Sequence, residues 1–356
     1  MDKNLLIMKL KEWSLTDLFK QFIRDSYSGK RMRKDGKKIK PQTIANYEAV
    51  LNLLLEFEEF KATPIVITSI TSRNKRMLLS ERKYWNRFFK EFTDFLFTKK
   101  HCHDNYVGLV IKIVRIFFNY LSSEKFLAVG DFYKKFYVYK EEVPIITLFP
   151  DQLKFLINNK EFEEGLTDAL KRTKDIFVLG STVGLRFSDL FSITFNNIER
   201  VGNSSYLCVK SIKTETVTRI KLPEYALDII EKFSYKKEKR KTILPPISKN
   251  QFNKNLKVLA EKAGWTHFVD KKRSRRGKEM DVPKRSGTSS LRFCDLISSH
   301  VMRRTAVSTM LMLGMPEHAV KKISGHAENS KAFYRYVNLV QSYLDTYIDK
   351  VYEQLV

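Results

Sequence analysis

HVMR at His300–Arg303, SGH at Ser324–His326 and FYRYV at Phe333–Val337 lie within one stretch of the C-terminal third of the chain. Two imidazoles, two guanidiniums and two phenols are thereby brought close in sequence. A phosphodiester under in-line attack spreads extra negative charge over its non-bridging oxygens, so a site handling one needs fixed cations and donors aimed at those oxygens. Arginine offers a planar fork that lysine's point charge cannot imitate. Imidazole donates to phosphate or moves a proton. Tyrosine ordinarily ionises only near pH 10, roughly, so it attacks only where cations and an acceptor stabilise the developing phenolate.

Upstream, Gly184-Leu185-Arg186-Phe187-Ser188-Asp189 supplies a further arginine, the partner of Arg303 in holding a phosphate. Asp189 stands three positions after it, on the same helical face, and is placed to orient it. Between the two motif regions, Ser205–Ser211 and Thr216–Leu222 are short runs rich in apolar and β-branched residues, separated by Ile212-Lys213-Thr214-Glu215. This pattern predicts a β-hairpin with Lys213 near its turn. A lysine among cations can have a lowered pKa and can protonate a departing 5′-hydroxyl; Lys210 and Lys221 are its competitors for that role.

Each motif alone is weak, but their order from about Val143 to the C-terminus resembles the tyrosine recombinase family of phage and mobile-element integrases. That pattern is an arginine in G-x-R with an acidic residue three positions on, a hairpin lysine, H-x-x-R, G-H and a tyrosine. The resemblance implies a catalytic set of Arg186, Lys213, His300, Arg303, His326 and a tyrosine, with Asp189 in support. It implies cleavage and rejoining of double-stranded DNA through a 3′-phosphotyrosyl intermediate and a Holliday junction, in integration or excision of a mobile element, with no metal or other cofactor. It further implies a homotetramer in the synaptic complex, assisted by accessory DNA-bending proteins. The family places its tyrosine nine residues after the G-H histidine, whereas Tyr334 and Tyr336 stand eight and ten after His326. Tyr336 is preferred because Phe-Tyr-Arg-Tyr-Val matches the family's ending, a polar or basic residue before the tyrosine and an apolar one after it; Tyr334 stays in reserve. A type IB topoisomerase-like or telomere-resolving enzyme would share the site, and a non-catalytic DNA-binding protein would share the fold.

The N-terminal half reads differently. Apolar residues recur at three- and four-residue steps in four segments, marking amphipathic helices that make a small bundle. Ser14 is placed to cap the first, which carries Leu15, Leu18, Phe19, Phe22 and Ile23, and Thr43 the second, which carries Ile44, Tyr47, Leu51 and Leu54. The third carries Tyr84, Trp85, Phe88, Phe89, Phe92 and Leu96, and the fourth runs from Val107 to Leu121. Between the first two lies GKRMRKDGKKIK, Gly29 to Lys40, read as a solvated loop whose Lys30, Arg31, Arg33, Lys34, Lys37, Lys38 and Lys40 are candidate phosphate contacts. Lys271, Lys272, Arg273, Arg275 and Arg276 form a second basic segment, expected in a loop or at a helix end, and Lys236 to Lys241 another.

The expected organisation is a short tail over 1–12, a helical core-binding domain over 13–130, a linker over 131–144 and a catalytic domain over 145–356. The fold class is mainly α with a small antiparallel β-sheet, and by resemblance the two domains form a C-shaped clamp on DNA. After the tyrosines, Leu339, Val340, Tyr343, Leu344, Tyr347, Ile348, Val351 and Leu355 make an amphipathic C-terminal helix, for packing on its own domain or on a neighbouring subunit.

Composition agrees with a nucleic-acid partner. The 356 residues carry 65 Lys plus Arg against 40 Asp plus Glu, a formal charge of +25. No apolar run is read as approaching a membrane span and the start lacks a signal-peptide pattern, so a cytoplasmic protein with no membrane partner is expected. Cys102, Cys208 and Cys294 are scattered and odd in number, which suits a reducing compartment. His101, Cys102 and His103 are adjacent, but neighbouring side chains diverge and no second ligand cluster follows, so no metal is expected there.

Overall fold

The computed structural model describes residues 12–68, 75–212, 215–234, 241–281 and 291–353. These divide into two units: Met1–Val143 with Lys272–Val282, and Pro144–Lys271 with Pro283–Val356.

In the first unit, strand β1 (Glu12–Ser14) pairs antiparallel with β2 (Val66–Thr68) beside helices α1 (Leu15–Ser28), α2 (Pro41–Lys61), α3 (Lys75–Thr98) and α4 (Asp104–Ser123). Ser14 caps α1, its hydroxyl accepting from the Asp17 N–H at 3.2 Å. The second helix starts earlier than Thr43: Lys40 is its N-cap and Pro41 its first residue, because proline's fixed φ and missing N–H cost nothing there. Aromatic rings fill the core, with Phe19, Phe22, Trp85, Phe92, Phe117 and Phe118 all buried. By length and composition α4 could cross a membrane, contrary to the expectation that no run comes near. Its Val107, Val110, Ile111, Val114 and Leu121 are instead buried in this bundle.

One expected connection changes and another, the exposed loop, takes a defined form. The stretch read as a linker from Asp131 folds onto the bundle through a 3-10 turn, Phe132–Lys135, and Phe132, Tyr133 and Phe136 join the core. Phe132 stacks on Trp85 at 4.7 Å, and Tyr133 donates to Asn119 Oδ1 at 2.8 Å. Its Lys- and Tyr-rich composition concealed these aromatic anchors. The Gly29–Lys40 segment is a turn with fixed geometry: Met32 bridges to Lys38, the Arg33 N–H donates to the Lys37 carbonyl at 2.8 Å, and Ile39 is buried.

The second unit opens with α5 (Pro150–Asn158), α6 (Lys160–Glu164), α7 (Asp168–Val183) and α8 (Phe187–Leu190). The expected hairpin is part of a three-stranded antiparallel sheet of β3 (Ile198–Val201), β4 (Ser204–Lys210) and β5 (Val217–Leu222). Register runs from Ser205↔Leu222 to Lys210↔Val217. Alternate residues Leu207, Val209, Ile220 and Leu222 face the core, as a half-buried sheet requires. Helices α9 (Glu224–Ser234) and α10 (Lys249–Lys262) follow, then β6 (Phe268–Val269), β7 (Lys272–Arg275), β8 (Lys278–Asp281), β9 (Leu291–Arg292) and α11 (Phe293–Leu296). The chain ends in α12 (Ser299–Met312), α13 (Glu317–Ser324) and α14 (Lys331–Glu353). Helix α7 is the centre of this unit, buried along Ile176–Leu179 and at Val183. Helix α12 crosses it at Gly180, where a Cβ would stand 2.5 Å from Met302 Sδ.

The basic segment Lys271–Lys278 is neither loop nor helix end. It forms the β7–β8 hairpin, which belongs to the first unit although its flanking strands β6 and β9 pair with each other in the second. Arg273 donates to the buried Glu141 carboxylate at 2.6 and 2.9 Å, and the Arg276 and Gly277 N–H groups donate to Asp104 at 2.7 and 2.9 Å. The Arg276 guanidinium pairs with Asp94, and that of Arg275 donates to the His101 carbonyl at 3.0 Å. Arg31, in the other basic segment, is likewise turned inward, over the Phe22 ring at 4.6 Å and 3.4 Å from Glu124. These arginines are engaged by their own protein. Lys30, Lys34 and Lys38 are exposed.

Candidate active site

Gly184 ends α7 in the left-handed conformation, φ 64°, and turns the chain so that Leu185 is buried and Arg186 begins the next helix. The Arg186 Nη1 donates to Ser211 Oγ at 2.9 Å and lies 3.8 Å from Asp189 Oδ2. Asp189 is buried, accepting the Ser211 hydroxyl at 2.9 Å and the Ile212 N–H at 3.1 Å. Its carboxylate therefore ties Arg186 to the end of β4, where the turn begins. The tie to the turn goes beyond the expected orientation of Arg186 alone. Lys213 and Thr214 themselves lie outside the described residues.

On α12, His300 stands in the first turn and Arg303 one turn later. Arg303 is buried and donates to the Gly184 carbonyl at 2.9 Å and to the Ser324 carbonyl, binding the ends of α7 and α13 into one frame. Burial, and after it the charge of Arg186, lower its pKa to about 10, so it stays cationic at neutral pH. Gly325 ends α13 with φ 60°, where a Cβ would meet Thr216 Oγ1 at 3.0 Å. His326 follows at once. Its Nδ1 is 2.7 Å from Ser324 Oγ, whose single proton is directed to the Val320 carbonyl at 2.6 Å. With the serine proton on that carbonyl, Nδ1 carries the hydrogen and Nε2 keeps its lone pair. Burial and the cations Arg303 and Arg186 lower the His326 pKa to about 4, so it is a neutral imidazole. His300 is more open to solvent but shifts the same way, from the protein packed around its ring and from Arg304, Arg303, Lys249 and Arg186.

The two tyrosines differ. Tyr336 is buried at 6% exposure with its ring 6.1 Å from that of His326, whereas Tyr334 is 50% exposed beneath the Lys321 ammonium. Two positions on a helix are about 200° apart around its axis, so only one of them can face this cluster. Burial raises the Tyr336 pKa, while Arg304, Arg303 and Arg335 oppose that rise. Arg186, His300, Arg303, His326 and Tyr336 thus come together around one charge cluster, and His318 is exposed on α13 outside it. Sequence reasoning missed Ser211 and Lys249, and it quoted Ser324 without assigning it the contact to His326. It also passed over Arg304, whose only signal was the doubled arginine after the histidine.

The sequence profile of the phage integrase family matches residues 147–342, more than half of the chain. The chain belongs to the phage integrase family. It is a tyrosine-type site-specific recombinase, and the stretch that matches contains all six motif residues as well as Arg304. No curated protein matches this integrase. Solved structures that share its fold include these three. A lambda integrase dimer bound to a COC′ core site is 13% identical, with a TM-score of 0.58 over 92% of this chain and 77% of that one. The XerH site-specific recombinase bound to difH substrate, in a pre-cleavage complex, is 11% identical, with a TM-score of 0.54 over 90% and 81%. The Tn1549 transposon integrase in complex with transposon right end DNA is 15% identical, with a TM-score of 0.55 over 92% and 94%.

Proposed function

We propose that this integrase cleaves and rejoins double-stranded DNA with Tyr336 as nucleophile. Tyr336 Oη attacks the scissile phosphorus, the bond from phosphorus to the 5′-oxygen breaks, and a 3′-phosphotyrosyl link forms. Arg186 and Arg303 hold the non-bridging oxygens, using the donors left over from Ser211 and from the Gly184 and Ser324 carbonyls. His326 Nε2 takes the phenol proton, His300 donates to a phosphate oxygen, and Lys213 protonates the departing 5′-oxygen. The link conserves the energy of the phosphodiester, so the partner strand's 5′-hydroxyl reverses the chemistry through a Holliday junction without ATP. The observation that carries this reading is the buried Tyr336 hydroxyl lying in the field of Arg303 and Arg304 beside a neutral His326.

The first unit serves as the core-binding domain, with Lys30, Lys34 and Lys38 on its charged turn as phosphate contacts. The synaptic complex is a homotetramer that accessory DNA-bending proteins assist, acting on a mobile element in the cytoplasm. A pool of nicked duplexes with a randomised central region tests the chemistry. Wild-type protein is expected to capture some members as SDS-resistant adducts, whose peptide mass identifies the tyrosine and whose sequence gives the site. Tyr336→Phe abolishes the adduct and Tyr334→Phe keeps it. Capture with the two mutants reversed, or none by the wild type, refutes the assignment.

A further inference from the structure

Arg304 follows Arg303 directly but serves another face of α12. Arg303 reaches the ends of α7 and α13, while Arg304 shares its face with Val307 and Leu311 at i+3 and i+7. Val307 and Leu311 pack with Phe333, Tyr336 and Val340 of α14, so the face carrying Arg304 is the one that holds the tyrosine helix. That face brings the Arg304 charge to the side of α12 on which Tyr336 packs, and Arg304 opposes the rise that burial causes in the Tyr336 pKa. Arg304 is only partly exposed, and among the described residues no carboxylate pairs with it; the ionisable groups that act on it are the neutral Tyr336 phenol and the Arg335 cation. A half-buried cation without a carboxylate is costly unless an anion forms beside it. Here the group it faces becomes an anion only during reaction.

We propose that Arg304 is a further catalytic residue, whose N–H donates to Tyr336 Oη and stabilises the phenolate both as it attacks and as it leaves on religation. The inference rests on Tyr336 being the nucleophile. Arginine cannot take a proton, so the phenol proton still goes to His326 and Arg304 acts by charge alone. In the covalent intermediate Oη is an ester oxygen and a poor acceptor; the hydrogen bond weakens there and returns when the tyrosine is released. A preorganised donor aimed at developing charge is worth about a hundredfold to a thousandfold in rate.

The test uses the full chain, with nicked duplexes recovered from the adduct pool. Arg304→Gln should slow adduct formation and religation by about a hundredfold or more, leave DNA affinity within about twofold, and move the alkaline limb of the pH–rate profile upward. Replacing Tyr336 with 2,3,5-trifluorotyrosine, a much stronger acid, should restore most of the Arg304→Gln rate while helping the wild type little. If Arg304→Gln folds poorly by circular dichroism, Arg304→Lys, which keeps the charge, should retain an intermediate rate and an alkaline limb nearer the wild type's. An unshifted pH profile, or fluorotyrosine helping both proteins equally, overturns the proposal, as does a loss confined to DNA affinity. An adduct made by Tyr336→Phe would instead refute the nucleophile assignment itself.

Discussion

Asp189 carries a carboxylate shut away from solvent, and both its oxygens are committed to the end of β4. Asp189→Asn replaces one acceptor with a donor and removes the charge opposite Arg186. A hydrogen bond to a charged group is worth about 1.5–3 kcal/mol, so adduct formation should fall by about tenfold to a hundredfold with DNA affinity nearly unchanged. A rate within twofold of wild type would show that the turn is held by other contacts. His326 gives a pH prediction. Its folded pKa, about 4, lies below the unfolded value of about 6.5, so the folded state resists protonation. Stability is therefore level above about pH 6.5 and falls as pH drops towards 4. The urea midpoint of the wild type should fall more steeply through that window than that of His326→Gln. The types of these residues were legible in the motifs. Their hydrogen-bond partners were not, because Ser211 and Ser324 are ordinary residues until the fold places them.

At the scale of elements, spacing revealed the helices while closure between elements stayed hidden. The α4 stripe from Val107 to Leu121 was plain in the sequence, but Gly108 within it reads as a mere interruption. In the structure a Cβ there would fall 1.9 Å from the Tyr139 carbonyl oxygen, so glycine is what lets the segment after the 3-10 turn lie against the helix. Gly108→Ala must push that backbone away and should destabilise the protein by about 1–3 kcal/mol, read as a lowered urea midpoint. An unchanged midpoint would mean that the segment moves freely. The β7–β8 hairpin teaches the same lesson. A run of Lys and Arg looked like a solvated phosphate-binding loop, yet its arginines meet Glu141, Asp104 and Asp94, which lie more than a hundred positions away in sequence. No local pattern announces such pairing.

For the whole molecule, a formal charge of +25 predicts DNA binding that weakens steeply with salt, since each phosphate contact releases condensed counterions. Which cations take part is a structural question. Lys34 is exposed on its turn, whereas Arg31 is packed over Phe22. Lys34→Ala should lower the slope of log K against log salt by about one and leave stability unchanged. Arg31→Ala should leave the slope and lower the melting temperature. Fluorescence anisotropy across a salt series and a thermal melt separate the two, and a slope change for Arg31→Ala alone would reverse these roles.

Sequence by itself determined the chemistry of this protein, because a phosphate-transfer site needs particular side chains and their order along the chain survives as G-x-R, H-x-x-R, G-H and tyrosine. It also determined the helical bundle and the strand pair, through periodicities of 3.6 and 2 that need no distant partner. The residues flanking Tyr336 already favoured it over Tyr334, and the tertiary structure added that Tyr336 is buried beside His326 on α14 while Tyr334 is exposed. It decided too which cations are turned inward and that the α12 face carrying Arg304 packs against the tyrosine helix. These follow from side chains far apart in sequence meeting across packed helices, and a contact of that kind leaves no periodic trace.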